Sequence, residues 1–198
     1  MADGASGIMP RMHSAAATTD EELIARYAAG EVAAFERLYG RHEGPLWRYL
    51  LRLTRDHASA EELMQDTWFA VAREAARFRE DGHFAPWLYT IARRRVIDRH
   101  RMGRSTLSLQ AADDDGEPLE QRLADPAAPS PQAESERMQQ GEAILAALGR
   151  LPPVQRDAFL LQVEAGLAVE QIAQVTGTTF ETAKSRLRYA REKLRVLL

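Results

Sequence analysis

The chain contains no cysteine, and this absence excludes disulfide frameworks, thiolate metal sites and thiol nucleophiles. A protein without disulfides suits a reducing compartment. The chain also lacks any run of about 18 apolar residues, the length that a membrane-spanning helix needs. Residues 1–18 lack the continuous apolar centre of a signal peptide. We therefore expect a disordered leader over residues 1–18 and a cytoplasmic protein that does not insert into a membrane.

The signatures of common enzyme classes are missing as well. The five histidines show no HExxH spacing, and the chain has neither a GxxxxGK(S/T) phosphate loop nor a GxSxG nucleophile elbow. The acidic run at 113–117 lacks the ligand spacing of an EF-hand loop and has no glutamate at the twelfth position. We expect no catalytic site, cofactor or metal, and we interpret the acidic run as part of a spacer.

Alternation of apolar and polar residues with a period of two is absent too, so the sequence predicts no strand. Helical signals fill residues 19–101 and 138–198. Residues 102–137 are rich in Gly, Ser, Pro, Asp and Glu, a composition that is typical of a linker. We predict an all-α fold of two small helical domains joined by a flexible acidic linker, with a helix-turn-helix in the C-terminal domain.

Local signals divide the start of the first domain into three helices. A capping box at 19–22 opens a helix that ends near Gly30. Residues 31–39 continue the helical spacing of apolar side chains. Breaks are predicted at Gly40 and at Gly44 with Pro45, after which apolar residues mark a third helix.

Two further helices complete the first domain. A capping box at 59–62 opens an amphipathic helix that ends near Phe78. Gly82 interrupts the chain, and Pro86 is placed at the first position of a helix that ends near Arg101, since proline is tolerated there. One face of this last helix is apolar and the other is rich in arginine.

The second domain shows four helical segments. The first covers 138–148, and the second covers 154–164 after a pair of prolines. A short third helix covers 169–176. A turn at Gly177 then leads into a long helix from 180 that a box at 178–181 caps.

The last two helices have the pattern of a helix-turn-helix. The long helix carries an inner seam at spacings of 4, 3, 4 and 3, formed by Ala183, Leu187, Ala190, Leu194 and Leu197. Its outer face is polar and basic. The pattern fits a recognition helix in the major groove of DNA, and it also fits an αα-hairpin whose arginines are merely solvated.

Charge is segregated along the chain although the formal net charge is only −3. Residues 93–104 contain six arginines and one aspartate, which gives +5. Residues 113–137 contain eight acids and two arginines, which gives −6, and residues 179–198 contain six basic and two acidic side chains, which gives +4. Two basic helices separated by an acidic spacer indicate a polyanionic partner.

Aromatic residues accompany the first basic run. Trp87 and Tyr89 precede Arg93, Arg94 and Arg95 on the same predicted helix. They could form a platform on which unpaired bases stack while arginines hold the phosphates, or they could pack in the core beneath a charged surface. The loop at 79–84, before this helix, could supply a pocket for an extruded base.

The amphipathic helix before the Gly82 loop carries a polar cluster. Glu62, Gln65 and Asp66 are helical neighbours at i, i+3 and i+4. Periodicity alone describes an ordinary solvent-facing surface here. Only the wider sequence context makes it a protein-docking surface.

Three segments together resemble the extracytoplasmic-function group of bacterial RNA polymerase sigma factors. They are SAEELMQDTWF at 59–69, FAPWLYTIARRRVID at 84–98 and TAKSRLRYAREKL at 182–194. The resemblance covers about residues 20–101 and 138–198. It implies that 19–101 form the domain that binds core polymerase and the minus-ten element, that 102–137 are the linker, and that 138–198 bind the minus-35 element.

The resemblance also implies a role for each group of motif residues. Docking on the polymerase clamp falls to Glu62, Gln65, Asp66, Trp68 and Phe69. Capture of the melted minus-ten element falls to the loop at 79–84 and the helix after it, with Arg79, His83, Phe84, Trp87, Tyr89, Arg93, Arg94 and Arg95. Readout of the minus-35 element falls to Thr182, Lys184, Ser185, Arg188 and Tyr189.

The function expected from this resemblance is non-enzymatic promoter recognition and strand opening by a subunit of RNA polymerase. Its partners would be core RNA polymerase, promoter DNA in duplex and melted form, and an anti-sigma protein. A stand-alone helix-turn-helix regulator that binds duplex DNA without polymerase is the alternative. A third reading is an adaptor whose basic helices bind acidic proteins.

Overall fold

Helices dominate the computed structural model, which describes residues 18–79, 82–106 and 131–198, with side chains for 18–79, 82–101 and 140–198. The N-terminal domain contains α1 (Asp20–Ala28), α2 (Val32–Thr54), α3 (His57–Glu74), a 3-10 turn (Ala75–Arg77) and α4 (Phe84–Thr106). The C-terminal domain contains α5 (Pro131–Gly149), α6 (Pro153–Val163), α7 (Val169–Thr176) and α8 (Phe180–Leu197). No strand occurs among these residues, and the predicted all-α fold of two helical domains is confirmed.

The first helix begins as its sequence predicts. The Thr19 hydroxyl accepts a hydrogen bond from the Glu22 amide at 3.2 Å, and the Glu22 carboxylate accepts one from the Thr19 amide at 3.1 Å. These bonds satisfy amides that a helix start leaves without intrahelical partners. The predicted capping box is therefore confirmed.

The second helix corrects the predicted break at Gly40, Gly44 and Pro45, because α2 runs through all three residues. Interior glycines and a proline disfavour this helix by about 5 kcal/mol in total. Four large side chains of α2 are fully buried on one face, namely Leu38, Leu46, Tyr49 and Leu50. Burial of each contributes about 1.5–3 kcal/mol. Tertiary packing thus outweighs local propensity.

Two caps differ from the predicted residues, by three positions in α3 and by one in α8. The cap of α3 is Asp56, whose carboxylate accepts from the Ser59 amide at 2.8 Å. The cap of α8 is Thr179, whose hydroxyl accepts from the Thr182 amide at 3.2 Å. Both caps have extended backbone, which lets the side-chain oxygen turn back to the first turn. Where two capping residue types lie close together, composition alone does not select between them.

The helices that flank the predicted linker are longer than the sequence indicated. α4 starts at Phe84, two residues before Pro86, and continues to Thr106. α5 starts at Pro131 rather than near residue 138. Both therefore extend into the segment predicted as linker, and the acidic stretch at 107–130 lies outside the described residues. None of the described helices is long and apolar enough to cross a membrane.

The buried apolar side chains form one cluster to which both domains contribute. In the N-terminal domain the predicted inner face of α4 is confirmed, since Leu88, Ile91, Ala92 and Val96 are all buried. In the C-terminal domain the predicted seam of α8 is confirmed at four of its positions, and Leu197 is half-buried. These seams fix which face of each helix is left for other contacts.

Substitutions at two glycines test the backbone conformation of α2 and of the turn that precedes it. Gly40 lies in the middle of α2, whereas Gly30 has a φ of +103° in the turn between the helices. At both positions an added Cβ would meet no described heavy atom within 4 Å. Gly40→Ala should therefore raise the free energy of unfolding by about 0.5–1 kcal/mol, because alanine loses less backbone entropy in a helix.

The matched variant Gly30→Ala should lower the free energy of unfolding by about 1–2 kcal/mol, since L residues avoid this region of φ. Urea denaturation followed by far-UV circular dichroism measures both. Equal effects of the two substitutions would contradict the continuity of α2 through Gly40.

Candidate nucleic-acid interface

The helix-turn-helix forms as the sequence predicts, with α7 and α8 joined by a turn at Gly177. The glycine ends α7 in the left-handed region at φ 64°, where its amide donates to the Gln174 carbonyl at 3.2 Å. Glycine adopts this conformation without the steric cost that other residues carry. α8 then packs its apolar seam against α6 and α7. The opposite face of α8 is exposed to solvent.

The outer face of α8 carries the side chains predicted to read DNA. Lys184, Arg188 and Tyr189 are exposed, and Thr182 and Ser185 are half-buried. The Arg188 guanidinium lies 4.7 Å from the centroid of the Tyr189 ring, a cation–π contact that restricts both side chains. The Thr182 hydroxyl lies 2.9 Å from the hydroxyl of the cap residue Thr179. The side chains predicted to read bases thus lie at the start and middle of one helix face.

The polar face of α3 is exposed along the predicted docking residues. Glu62, Gln65 and Asp66 are exposed, and Phe69 is 72% exposed beside them. Trp68 is 5% exposed, with its ring 5.5 Å from Phe35. Of the two aromatics expected at this surface, the structure therefore places Phe69 outside and Trp68 in the core. Glu62 also forms an ion pair with Arg99 of α4.

The loop before α4 presents polar groups above an aromatic cluster. Arg79 and His83 are exposed, and the Gly82 amide donates to the Arg79 carbonyl at 2.9 Å. Phe84 is fully buried, and half-buried Trp87 lies 5.2 Å from the Phe78 ring. Phe84 therefore packs in the core, where its ring meets that of Phe78 at the other end of the loop. Trp87 keeps part of its ring at the surface.

The carboxylate of Glu21 fixes the start of α4, and sequence reasoning did not predict this contact. Its carboxylate accepts from the Phe84 amide at 2.9 Å and lies 4.0 Å from Nδ1 of His83. A carboxylate at a helix N-terminus is favoured both by the hydrogen bond and by the helix dipole. Because 63 residues separate the partners, no local pattern signals the contact.

The neighbouring residue Asp20 holds α1 in place for this task. It accepts from Nη1 of Arg41 at 2.6 Å, and its other oxygen lies 2.6 Å from Nε2 of His42. Burial raises the pKa of Asp20, but the hydrogen bonds from Arg41 and His42 outweigh burial and leave that pKa below its usual value. α1 is thereby anchored to α2 while Glu21 reaches α4.

The basic run of α4 is divided between two environments. Arg94 is exposed and Arg95 half-buried, so both can reach a ligand from solvent. Arg93 instead donates through Nε to the Asp157 carboxylate of α6 at 2.7 Å. An exposed platform at Tyr89 is corrected by the structure, because this ring is 1% exposed and lies 5.2 Å from the Tyr49 ring. The core-packing alternative therefore describes Tyr89.

Solved structures with a similar fold are found for most of the chain. The structure of CnrH in complex with the cytosolic domain of CnrY matches with a TM-score of 0.64 and 23% identity, over 90% of this chain and 96% of that one. The sigma factor RpoE in complex with the anti-sigma factor NepR from Bartonella quintana gives the same TM-score and identity, over 82% and 95%. These likenesses support the two-domain helical fold.

Sequence comparisons agree with the geometry. The model of Sigma-70 region 2 matches residues 38–106, and that of Sigma-70, region 4, matches residues 141–194. RNA polymerase sigma factor CarQ of Myxococcus xanthus is 33% identical over 173 residues, 87% of this chain and 94% of its own. ECF RNA polymerase sigma factor SigL of Mycobacterium tuberculosis is 34% identical over 172 residues, 86% and 92% of the two chains. The chain belongs to the sigma-70 family, as an RNA polymerase sigma factor of the extracytoplasmic-function group.

Proposed function

We propose that this sigma factor acts in the cytoplasm and without chemistry of its own, by docking on core polymerase through α3 and on promoter DNA through α4 and α8. The observation that carries the proposal is the placement of three exposed side-chain sets on three helices, each backed by a buried apolar seam. A stand-alone regulator would need only the α8 surface. The polar and aromatic face of α3 would then have no partner.

The α3 surface has the composition of a protein-docking site. An exposed phenylalanine among charged and amide side chains gives a central apolar anchor with a polar rim. Large aromatic rings carry a disproportionate share of binding energy at protein interfaces. We therefore assign Phe69 as the anchor of core-polymerase binding, with Glu62, Gln65 and Asp66 around it.

The loop at 79–84 and the start of α4 have the groups that melted DNA requires. Arg79, His83 and Trp87 lie at or near the surface of the loop, and Arg94 and Arg95 follow on α4. Aromatic faces stack on unpaired bases, and arginines bind phosphates. Stabilisation of the separated strand at this point shifts the duplex toward opening. Glu21 serves this site by holding the first amide of α4.

The outer face of α8 is proposed to read the minus-35 element in the major groove. Arg188 is its central basic side chain, flanked by Lys184, Ser185 and Tyr189. Arginine contacts the base edge of guanine through two hydrogen bonds, while lysine more often holds phosphate. This face of α8 thus supplies phosphate contacts that position the helix on the DNA and base contacts that read the sequence.

An anti-sigma protein is a further proposed partner. RpoE of Bartonella quintana, which shares the fold, forms a complex with the anti-sigma factor NepR. Exposed Phe69 on α3 and the outer face of α8 are surfaces that such a partner could cover here. Covering either surface would block a contact that initiation needs.

Transcription with purified components tests the proposal. Core polymerase that lacks any initiation subunit, mixed with this protein and its own upstream genomic DNA, should give run-off transcripts of defined length. A stand-alone regulator predicts no transcript in this mixture and tight binding of duplex DNA by the free protein. Absence of both transcript and core binding, with the protein folded, would overturn the proposal.

Truncation of the proposed anchor tests the docking surface. Phe69→Ala should weaken binding to core polymerase by about tenfold or about 1.4 kcal/mol, because an interfacial ring is lost. The melting temperature should change little, since the ring is 72% exposed in the free protein. Affinity is measured by fluorescence anisotropy with labelled protein.

The matched control is Val32→Ala, which removes an exposed apolar side chain from α2 of the same domain. It should leave the affinity for core polymerase unchanged. The double variant Gln65→Ala/Asp66→Ala should weaken binding in the same direction as Phe69→Ala. Wild-type affinity in both α3 variants would remove the docking assignment.

A second prediction concerns sequence readout by α8. Arg188→Ala should cost about 1–3 kcal/mol with the preferred minus-35 duplex and should relax the preference at one base pair. The control Arg195→Ala removes an exposed arginine from the last turn of the same helix. Binding is compared across duplexes that differ at single positions. A uniform loss across all sequences would mean that Arg188 contacts only phosphate.

A further inference from the structure

Two acidic side chains of α6 reach across to the N-terminal domain. Asp157 lies on α6 and Glu164 caps its end, seven residues later. Seven residues are close to two helical turns, so both side chains lie on one face of the helix, about 10 Å apart along its axis. They meet Arg48 and Arg52 of α2 and Arg93 of α4. We call these contacts the α6 clasp.

The hydrogen bonding of the α6 clasp is complete at all four carboxylate oxygens. Asp157 accepts from the Tyr49 hydroxyl at 2.9 Å and from Nε of Arg93 at 2.7 Å. Glu164 accepts from Nε of Arg48 at 2.8 Å and from Nη1 of Arg52. Each oxygen has its own donor from the other domain. Such one-to-one matching is typical of a specific interface.

The two carboxylates of the α6 clasp are also largely withdrawn from water. The side chain of Glu164 is 4% exposed and that of Asp157 is 12% exposed. Burial raises the pKa of Tyr49 well above its usual value, and the Asp157 carboxylate raises it further, so Tyr49 stays a hydrogen-bond donor. Its ring meets that of buried Tyr89 edge to face. Beside the clasp, α7 packs against α4.

The closed arrangement conflicts with promoter binding in two ways. Arg93 belongs to the basic run proposed to hold minus-ten DNA, and its Nε is already bonded to Asp157. The minus-ten and minus-35 elements are also about 25 base pairs apart, roughly 85 Å along a duplex. Domains of this size are only about 30 Å across, so two that remain in contact do not reach both elements.

We propose that Arg48, Arg52 and Arg93 form an acid-binding surface that α6 of the same chain occupies in the free protein, which withholds Arg93 from DNA until the domains separate. The inference rests on the proposed function, because it takes Arg93 as a DNA contact. The surface selects carboxylates presented on a helix, and DNA phosphates are the competing anions. Arginine forms the same paired hydrogen bonds with either group.

Measurement of the distance between domains tests the closed state directly. The chain has no cysteine, so Val32→Cys and Val196→Cys create the only thiols for a donor and an acceptor dye. Both positions are exposed, at 66% and 85%, and neither replacement changes charge. In this labelled background, Asp157→Asn/Glu164→Gln should lower the transfer efficiency of the free protein. Far-UV circular dichroism checks that the helices persist.

The matched control is Glu142→Gln/Glu192→Gln. It removes two negative charges from exposed positions of the same domain, so the net charge equals that of the clasp variant. Its transfer efficiency should equal that of the unmodified labelled protein. Equal efficiencies in the clasp variant and the control would overturn the proposal.

DNA binding tests whether the closed state withholds Arg93. The probe is a fluorescent single strand of about 30 nucleotides from the chain's own upstream DNA, mixed with free protein without polymerase. If nine-tenths of the molecules are closed, opening should tighten binding by about tenfold relative to the control variant. A lower transfer efficiency with no gain in affinity over the control would overturn the withholding of Arg93.

A charge-exchange pair of variants distinguishes loss of the ion pair from unfolding of the protein. Asp157→Arg should lower the transfer efficiency, because it places an arginine against Arg93. Adding Arg93→Asp should restore much of the efficiency by reversing the pair. Failure of the exchange to restore efficiency, in a folded protein, would count against the α6 clasp. The distance readout needs no polymerase, so its failure is distinguishable from silence in the transcription assay.

Discussion

The pairing of two carboxylates with three arginines and a tyrosine hydroxyl orients α6 on the N-terminal domain. Removing charges from water costs several kcal/mol per ion, and the attraction between partners roughly offsets that cost only when every donor and acceptor is matched. At the α6 clasp all four oxygens are matched. Such an interface gives one orientation with little net stability. The ionic part of the interface is therefore specific, and it adds little to the resistance to opening that comes from the packing of α7 against α4.

The apolar seams within each domain stay closed, because their separation would expose buried apolar side chains to water. α8 stays against α6 and α7 through Ala183, Leu187 and Ala190, all buried. α4 stays in the N-terminal domain through Leu88 and Ala92, which are fully buried. Each domain thus moves as a unit that carries its exposed side chains with it. Between the domains, the ion pairs of the α6 clasp lie beside the packing of α7 against α4, so charged and apolar contacts share that interface.

Local signals predicted most of the fold, and long-range contacts account for what they missed. The capping box of α1, the limits of α7 and the seam of α8 follow from spacing within a few residues. The continuity of α2 through Pro45 depends on burial against other helices, and sequence spacing does not report burial. For the candidate site, periodicity placed Glu62, Gln65 and Arg188 on outer faces. The family resemblance named both Trp68 and Phe69 as docking residues, and only Phe69 is exposed. The contacts of Asp157 with Tyr49 and Arg93 join residues 108 and 64 positions apart, and no local pattern contains them.

The exchange of one anion for another explains how such a closed state can respond to DNA. If the arginines had to lose Asp157 and Glu164 before meeting a new partner, two largely buried carboxylates and three partly exposed arginines would be left unpaired, and the barrier would be high. Arg48 is 40% exposed at its side chain, so an incoming phosphate can meet it while Glu164 still holds Arg52. Phosphates can then replace the carboxylates one ion pair at a time, and at no step are all the charges unpaired. The same exposure that weakens the α6 clasp at Arg48 is therefore what makes it displaceable.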